Sequence, residues 1–458
     1  MAVKQYDVVV VGSGAGNIVV SQALAEGLSV ALVDRGPVGG TCLNLGCIPS
    51  KMLIFPADRV MELREAQKLG IEAEIKNIDF SGIMERMRTS IARDRNAMHE
   101  GLTQSQELDF YEVEAHLVDD HTLQVGDEQI RGDKIVLAAG SRPLVPPIKG
   151  LDAVDYLTNE TVLTLDEPPR SLIIIGGGYI GVEYAHFFEA MGTEVAVVEM
   201  LERLVPVEEP GISAVLQKRL SQRMAIRTHT RVERVSAADG GCVVEARDTH
   251  TGEPVRMGAQ RLMVAAGRRS NADLLQVENA GIETDEDGFI RANAYLETNV
   301  PHIWAFGDII GKAMFRHAAN REALIAWHNA NNDHKVRMDY LSVPHAVFSW
   351  PQIASVGLTE AQAREEFEVA VGHVRYADTA KGEAMMENEG FAKIVVDREN
   401  GHILGVHVIG PYAPILVQEG ITVMANGGTI DWLAHALHIH PAVSEVIGDL
   451  PFVLHAHD

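Results

Sequence analysis

The stretch from Gly39 to Lys51, GGTCLNLGCIPSK, contains two of the chain's three cysteines, Cys42 and Cys47, with four residues between them. A pair so placed could be a disulfide staple, part of a metal site, or a reactive dithiol. Three cysteines are too few for a disulfide scaffold. A zinc site would normally draw on further ligands, and no second cysteine pair follows, so no metal is expected. Five residues of regular helix rise about 7.5 Å, beyond the roughly 4.4–6.8 Å Cα separation of a disulfide, so the backbone between the two must be bent or tightly wound. Gly46 permits such a bend, and Pro49 can open a helical segment. A helix N-terminus beside the thiols would favour the thiolate, the nucleophilic form. Redox reactivity is the reading these residues favour.

Reactive sulfur needs an electron partner, and two other stretches point to nucleotides. Near the N-terminus, YDVVVVGSGAGN is a β-branched run ending in a glycine turn, followed by helical spacing from about Ala15 to Glu26 and a second strand, LSVALVD, ending at Asp34. That is a βαβ unit. Gly12 allows the tight turn, Gly14 lets backbone approach a pyrophosphate, and the helix N-terminus supplies N–H groups and positive dipole. Asp34 can accept from an adenosine ribose. The third glycine of G-x-G-x-x-G is replaced by Asn17, with Gly16 beside it. In the stretch SLIIIGGGYIGVEYAHFFEAMGTEVAVVE the motif is complete at Gly176, Gly178 and Gly181, and Glu199 ends the second strand. A carboxylate there favours the free 2′-hydroxyl of NAD and repels the 2′-phosphate of NADP, so NAD(H) is expected.

The rest of the chain frames these units. Its 458 residues, 46% hydrophobic and 22% charged, suit roughly three domains of about 100–200 residues with buried cores. A formal net charge of −25, with no block of Lys and Arg, argues against a nucleic-acid surface. No apolar run approaches the roughly 20 residues that span a bilayer, and the N-terminus lacks signal-peptide architecture, so a cytoplasmic protein without a membrane partner is expected. Glycine turns at AAGSRP (Ala138–Pro143) and AAGRRSN (Ala265–Asn271) follow apolar strands and suit domain crossings. Pro168 and Pro169 mark a further transition, and from about Leu341 strands such as AKIVVD mix with helices. Cys242 stands alone and reads as incidental.

Taken in order, GSGAGN, GGTCLNLGCIPSK, GGGYIGVE, TNVPHIWAFGD and HIHPAVSE resemble the pyridine nucleotide-disulfide oxidoreductases over essentially the whole chain. The resemblance implies an α/β protein: two Rossmann-like nucleotide-binding domains, for FAD and NAD, plus an α+β C-terminal dimerisation domain. The implied boundaries are 1–150 for FAD, 151–268 for NAD, 269–340 for a central domain completing the FAD site, and 341–458 for the interface of a homodimer. It implies that Gly12, Gly14, Gly16, Asp34, Lys51, Gly140, Asp308 and Ala319 serve FAD, with Asp308 at the ribityl chain and Glu183 as the charge partner of Lys51. Gly176, Gly178, Tyr179, Gly181, Glu199 and Gly267 would serve NAD, with Tyr179 covering the flavin where nicotinamide enters. Cys47 would be the sulfur nearer the flavin and Cys42 the one that meets substrate. His440 and Glu445 would be an acid-base pair reaching the other subunit's disulfide.

Within the family, Glu199 speaks against the NADP-dependent glutathione reductase branch and CIPSK resembles dihydrolipoamide dehydrogenase. The tail VLHAHD has no cysteine pair, which fits mercuric reductase and the larger thioredoxin reductases poorly. The expected activity is oxidation of a protein-bound dihydrolipoyl group by NAD⁺. The alternative is reduction of a low-molecular-weight disulfide such as mycothione, whose reductase has a similar G-x-G-x-G-N start. A non-catalytic FAD protein and a flavin NADH oxidase without disulfide chemistry are the readings from other classes.

Overall fold

The computed structural model describes residues 3–455, so the end of the VLHAHD tail lies outside the described residues. The chain divides into two compact units, Met1–Ser50 with Glu85–Leu144 and Gly267–Tyr340, and Lys51–Met84 with Val145–Ala266 and Leu341–Asp458.

In the first unit, the strand Lys4–Val11 lies between Val30–Val33 and Glu128–Leu137, all parallel, with Leu108–Tyr111 parallel beyond Val30–Val33. Neighbours on both edges and cover on both faces explain why Val8, Val9 and Val10 are fully buried. The far edge of Glu128–Leu137 is shared: Thr122–Val125 pairs antiparallel with its first half, and Ile303–Ala305 parallel with its last three residues. The helix Gly16–Ala25 follows the first strand and buries Val19, Val20 and Ala23.

The second unit repeats the plan. Its parallel sheet runs Ala225–Arg227, Glu194–Val198, Ser171–Ile175, Arg261–Val264, Tyr156–Leu157, and the helix Tyr179–Ala190 follows Ser171–Ile175. An antiparallel ribbon, Thr230–Ala238, Gly241–Asp248 and Pro254–Ala259, carries Cys242 into a core with Ile173, Val244 and Leu262. Burial pushes that thiol up, away from reactivity. The C-terminal sheet, His345–Val347, Ile353–Gly357, Ile403–Ile409, Phe391–Asp397 and Val369–Arg375, is antiparallel at every pairing. Its middle strand Ile403–Ile409 is buried at all positions, with the helix Ala413–Ala425 against it. The architecture is the α/β arrangement with an α+β C-terminal part that the sequence implies.

The two parallel sheets turn into their helices by the same device. Gly12 has φ +106°, and a Cβ on it would stand 2.3 Å from the Ala138 carbonyl oxygen. Gly176 has φ +112°, and its Cβ would stand 2.3 Å from the Ala265 oxygen. Gly14 and Gly178 differ: a Cβ on Gly14 would meet nothing closer than 3.9 Å, and on Gly178 nothing within 4 Å. One glycine of each turn is required by the protein's own backbone, and the next lines open space. The Asn17 departure has a local explanation. Gly16 makes the close packing, its Cβ position 2.9 Å from Val10 Cγ1, while Asn17 Nδ2 donates to the Ser13 carbonyl at 2.7 Å. Gly181 does that packing in the second turn, against the Gly176 oxygen.

Gly12→Ala should therefore prevent formation of the first sheet, giving insoluble or flavin-free protein. Gly27→Ala, at φ +76° with open space, should cost only about 1–2 kcal/mol. Soluble expression, flavin content and thermal midpoint compare them, and equal behaviour would contradict the close-approach argument.

Candidate active site

The dithiol segment is two helices with a break between them. Gly39, at φ +97°, starts the short helix Gly40–Asn44; Leu45 and Gly46 interrupt it, and Cys47 opens the 19-residue helix Cys47–Glu65. Ser50 N–H donates to the Gly46 carbonyl at 3.0 Å, closing the first turn. This is the bend that the cysteine spacing demands. Cys47 is exposed at a helix N-terminus, where negative charge is stabilised, and Cys42 is half-buried. Asn44 holds the segment from within. Its buried Nδ2 donates to the carbonyls of Val38 at 2.8 Å and Gly40 at 3.0 Å, with Pro37 O at 3.3 Å.

The same segment is fastened to the first glycine turn. Gly39 N–H donates to Ser13 Oγ at 2.8 Å, and a Cβ on Gly40 would lie 2.9 Å from the Gly14 Cα. Asp34 spans the turn, accepting from Ser13 N–H at 2.6 Å and Gly36 N–H at 2.8 Å. In the same unit, Asp308 accepts from Ser141 Oγ at 2.6 Å and lies 3.5 Å from Arg268 Nε, which donates to that same hydroxyl at 2.7 Å. Behind it, buried Glu322 accepts from Gly307 N–H and the Tyr340 hydroxyl, each at 2.7 Å. Burial pushes the Glu322 carboxyl up. Ala319 lies in the first turn of the helix Arg316–Asn331, against Gly307. Gly140 has φ +70° with open space, and Gly267 has φ +125°.

In the second unit, Lys51 Nζ bonds both oxygens of Glu183, at 3.0 and 2.8 Å. Glu183 also accepts the Phe348 N–H at 3.0 Å, and the Phe348 ring lies 4.6 Å from the ammonium. Asp58 and His186 repeat the link between the same two helices at 2.9 Å. Tyr179, the first residue of its helix, donates to Glu208 Oε1 at 3.0 Å and stacks on His345. Glu199 accepts from Gly177 N–H at 2.6 Å and Leu201 N–H at 2.8 Å, bracing the second turn as Asp34 braces the first. His440 Nδ1 and Glu445 Oε1 are 2.6 Å apart, and the other Glu445 oxygen accepts the Ala442 N–H at 3.0 Å. The hydrogen bond to His440 holds the Glu445 carboxyl below its usual range.

The structure thus brings together Lys51 with Glu183, His440 with Glu445, and the dithiol segment with the Gly12–Gly14 turn. It also supplies partners that sequence reasoning passed over. Ser141 and Arg268 lie inside AAGSRP and AAGRRSN, and Asn44 lies between the cysteines, so their stretches were visible though their contacts were not. Phe348, Glu208 and His345 carry no sequence signal.

Two glycine turns with open floors, one fastened to a pair of cysteines, suit a redox protein that works with two dinucleotides. Comparison with known proteins places it further. Residues 6–323 match the pyridine nucleotide-disulphide oxidoreductase family and residues 343–451 match that family's dimerisation domain. The chain is 33% identical over 457 residues to mycothione reductase of Mycobacterium tuberculosis, covering 97% of this chain and 98% of that one. It is 32% identical over 447 residues to a dihydrolipoyl dehydrogenase of Bacillus subtilis, covering 96% and 94%. The copper(II) complex of the HOCl-induced flavoprotein disulfide reductase RclA from Escherichia coli superposes with a TM-score of 0.86 at 28% identity, covering 98% of this chain and 99% of that one.

The chain belongs to the pyridine nucleotide-disulphide oxidoreductases. It is an oxidoreductase, and its family works with FAD and NAD(P)H. The residues present fit both groups, since Gly14 and Gly178 leave open the floor that any side chain would fill. Among the described residues, no helix is long and apolar enough to cross a membrane.

Asn44→Leu removes the donor from the buried Val38 carbonyl and should destabilise the protein by about 1–3 kcal/mol. The thermal midpoint should fall and protease cleavage should appear between residues 37 and 47. An unchanged midpoint would show that Asn44 does not hold the segment.

Proposed function

We propose that this protein is an NAD-dependent dihydrolipoyl dehydrogenase, reoxidising a protein-bound dihydrolipoyl group through Cys42 and Cys47. The observation that carries the reaction class is the dithiol at a helix N-terminus, fastened to the first glycine turn. FAD, when bound, would supply two-electron redox chemistry between the dithiol and NAD⁺.

The chain's own residues do the rest. Gly12, Gly14, Gly16 and the helix Gly16–Ala25 would receive the FAD pyrophosphate, Asp34 its ribose, and Asp308, set by Ser141 and Arg268, its ribityl chain. Gly140, Ala319 and Lys51 complete that site, with Glu183 fixing the ammonium. Gly176, Gly178 and Gly181 would receive NAD, Glu199 would favour it over NADP, and Tyr179 and Gly267 would line the approach.

In the exchange step, His440 takes the proton of an incoming thiol, whose thiolate attacks Cys42; the Cys42–Cys47 bond breaks and Cys47 leaves as thiolate. The second substrate thiol, deprotonated in turn, displaces Cys42 and leaves the substrate as a cyclic disulfide. Glu445 engages Nδ1 of His440, which leaves Nε2 for the proton and stabilises the imidazolium. In the homodimer this reading requires, His440 serves the dithiol of the other subunit. Leu437 and Ile439, beside His440, are strongly exposed apolar residues of the C-terminal region, as are Trp432 and Phe452, and a second copy would cover them. A thiol-reducing compartment such as the cytoplasm suits this chemistry.

The second reading, reduction of a small disulfide such as mycothione, is favoured by the full-length similarity to mycothione reductase.

His440→Ala should leave flavin reduction by NADH intact while slowing disulfide exchange by about 10²–10⁴-fold. Stopped-flow absorbance separates the two, and full turnover in that variant would sink the assignment. Steady-state rates with dihydrolipoamide and NAD⁺, against NADH with lipoamide, mycothione and glutathione disulfide, test the substrate. A lipoamide rate no better than the others rejects the first reading, and loss of all activity in Cys42→Ser excludes a flavin oxidase without disulfide chemistry.

A further inference from the structure

Tyr179 is held on three sides. Its backbone opens the helix Tyr179–Ala190 directly after the Gly176–Gly178 turn, so its Cα is fixed and only the side chain can swing. Its hydroxyl donates to Glu208 Oε1 at 3.0 Å, and its ring lies on the His345 imidazole, centroids 5.5 Å apart and planes 20° apart. Glu208, itself almost wholly buried, also accepts from His345 Nε2 at 2.8 Å and Ser355 Oγ at 2.7 Å.

The rest of this cluster is tied down by further hydrogen bonds. Val205 N–H donates to the Gly177 carbonyl at 2.9 Å, which ties the loop bearing Glu208 to the nucleotide turn. The next residue, buried Glu209, is clamped by Lys393 Nζ at 2.7 Å and Glu360 N–H at 2.5 Å. His345 opens the strand His345–Val347, three residues before Phe348, whose N–H bonds Glu183. Burial would push the Glu208 carboxyl up, but the hydrogen bond and charge of His345, with Ser355, hold it below its usual range. Burial and the Glu208 charge push the Tyr179 hydroxyl well above the tyrosine range, so the tyrosine is the donor.

We propose that Glu208 and His345 are positioning residues that latch the Tyr179 ring in a resting place from which it must move when a pyridine nucleotide enters. This rests on the reading of Tyr179 as the residue lying where nicotinamide enters. The arrangement suits a latch because release strands no buried charge: when the hydroxyl leaves, Glu208 keeps His345 and Ser355. The fraction of molecules with the ring released then sets the apparent affinity for nucleotide.

The test is NAD⁺ binding to the FAD-loaded enzyme by calorimetry, with KM and kcat measured alongside. Tyr179→Phe, which keeps the ring and removes the hydroxyl bond to Glu208, should lower the dissociation constant and KM about 3- to 10-fold. Glu208→Gln should do the same alone, and on the Tyr179→Phe background should add less than about two-fold, because both act through one bond. Additive effects, or an unchanged constant in Tyr179→Phe beside a changed one in Tyr179→Ala, overturn the latch and leave the reading of Tyr179 standing. An unchanged constant in Tyr179→Ala overturns both. If Glu208→Gln fails to fold, Tyr179→Phe alone decides the matter.

Discussion

At residue 12 and again at residue 176 the backbone runs so close to a neighbouring strand's carbonyl that a Cβ would stand 2.3 Å from its oxygen. No side chain is tolerated there, and the positive φ disfavours one independently. The strand consequently turns at once into its helix, with open space at the second glycine. Asp34 and Glu199 then brace these turns from the next strand's end through backbone N–H groups. In the first unit the constraint reaches further, because Gly39 and Gly40 abut Ser13 and Gly14. The cysteine segment is thus positioned by the first glycine turn itself, with Asn44 keeping its bend in shape.

A chain with a formal net charge of −25 keeps most of its carboxylates in water, where they cost little. The informative ones are buried: Glu183, Glu199, Glu208, Glu209 and Glu322. Each receives donors from its surroundings, as a buried charge must if it is to remain in place. Glu199 and Glu322 fasten backbone turns, Glu183 sets Lys51, and Glu208 and Glu209 join the second nucleotide turn to the C-terminal sheet. Burial here places groups rather than adding bulk stability.

Much of the fold was legible because its signals are local. A β-branched run, a glycine turn, helical periodicity and a terminal acid recur within one short stretch, and each follows from backbone sterics or amphipathicity. The cysteine spacing likewise carried its own requirement for a bend, which Leu45 and Gly46 supply. Asn17 shows the limit of motif matching, since the close packing shifted by one residue to Gly16 and the turn kept its form. The contacts of Asp308 escaped because Ser141 lies 167 residues away in the chain and declares no partner.

The sequence by itself determined the family, the two glycine turns and the bend between the two cysteines, since all of these depend on residue types a few positions apart. Only the tertiary structure decided what surrounds them: Phe348 beside Lys51 and Glu183, Arg268 and Ser141 on Asp308, and Glu208 with His345 on Tyr179. His345 meets Glu208 across 137 residues of chain. Such partners are selected by the way strands and helices stack, and stacking answers to the burial of whole faces, so single polar residues leave no periodic trace of the contacts they will make.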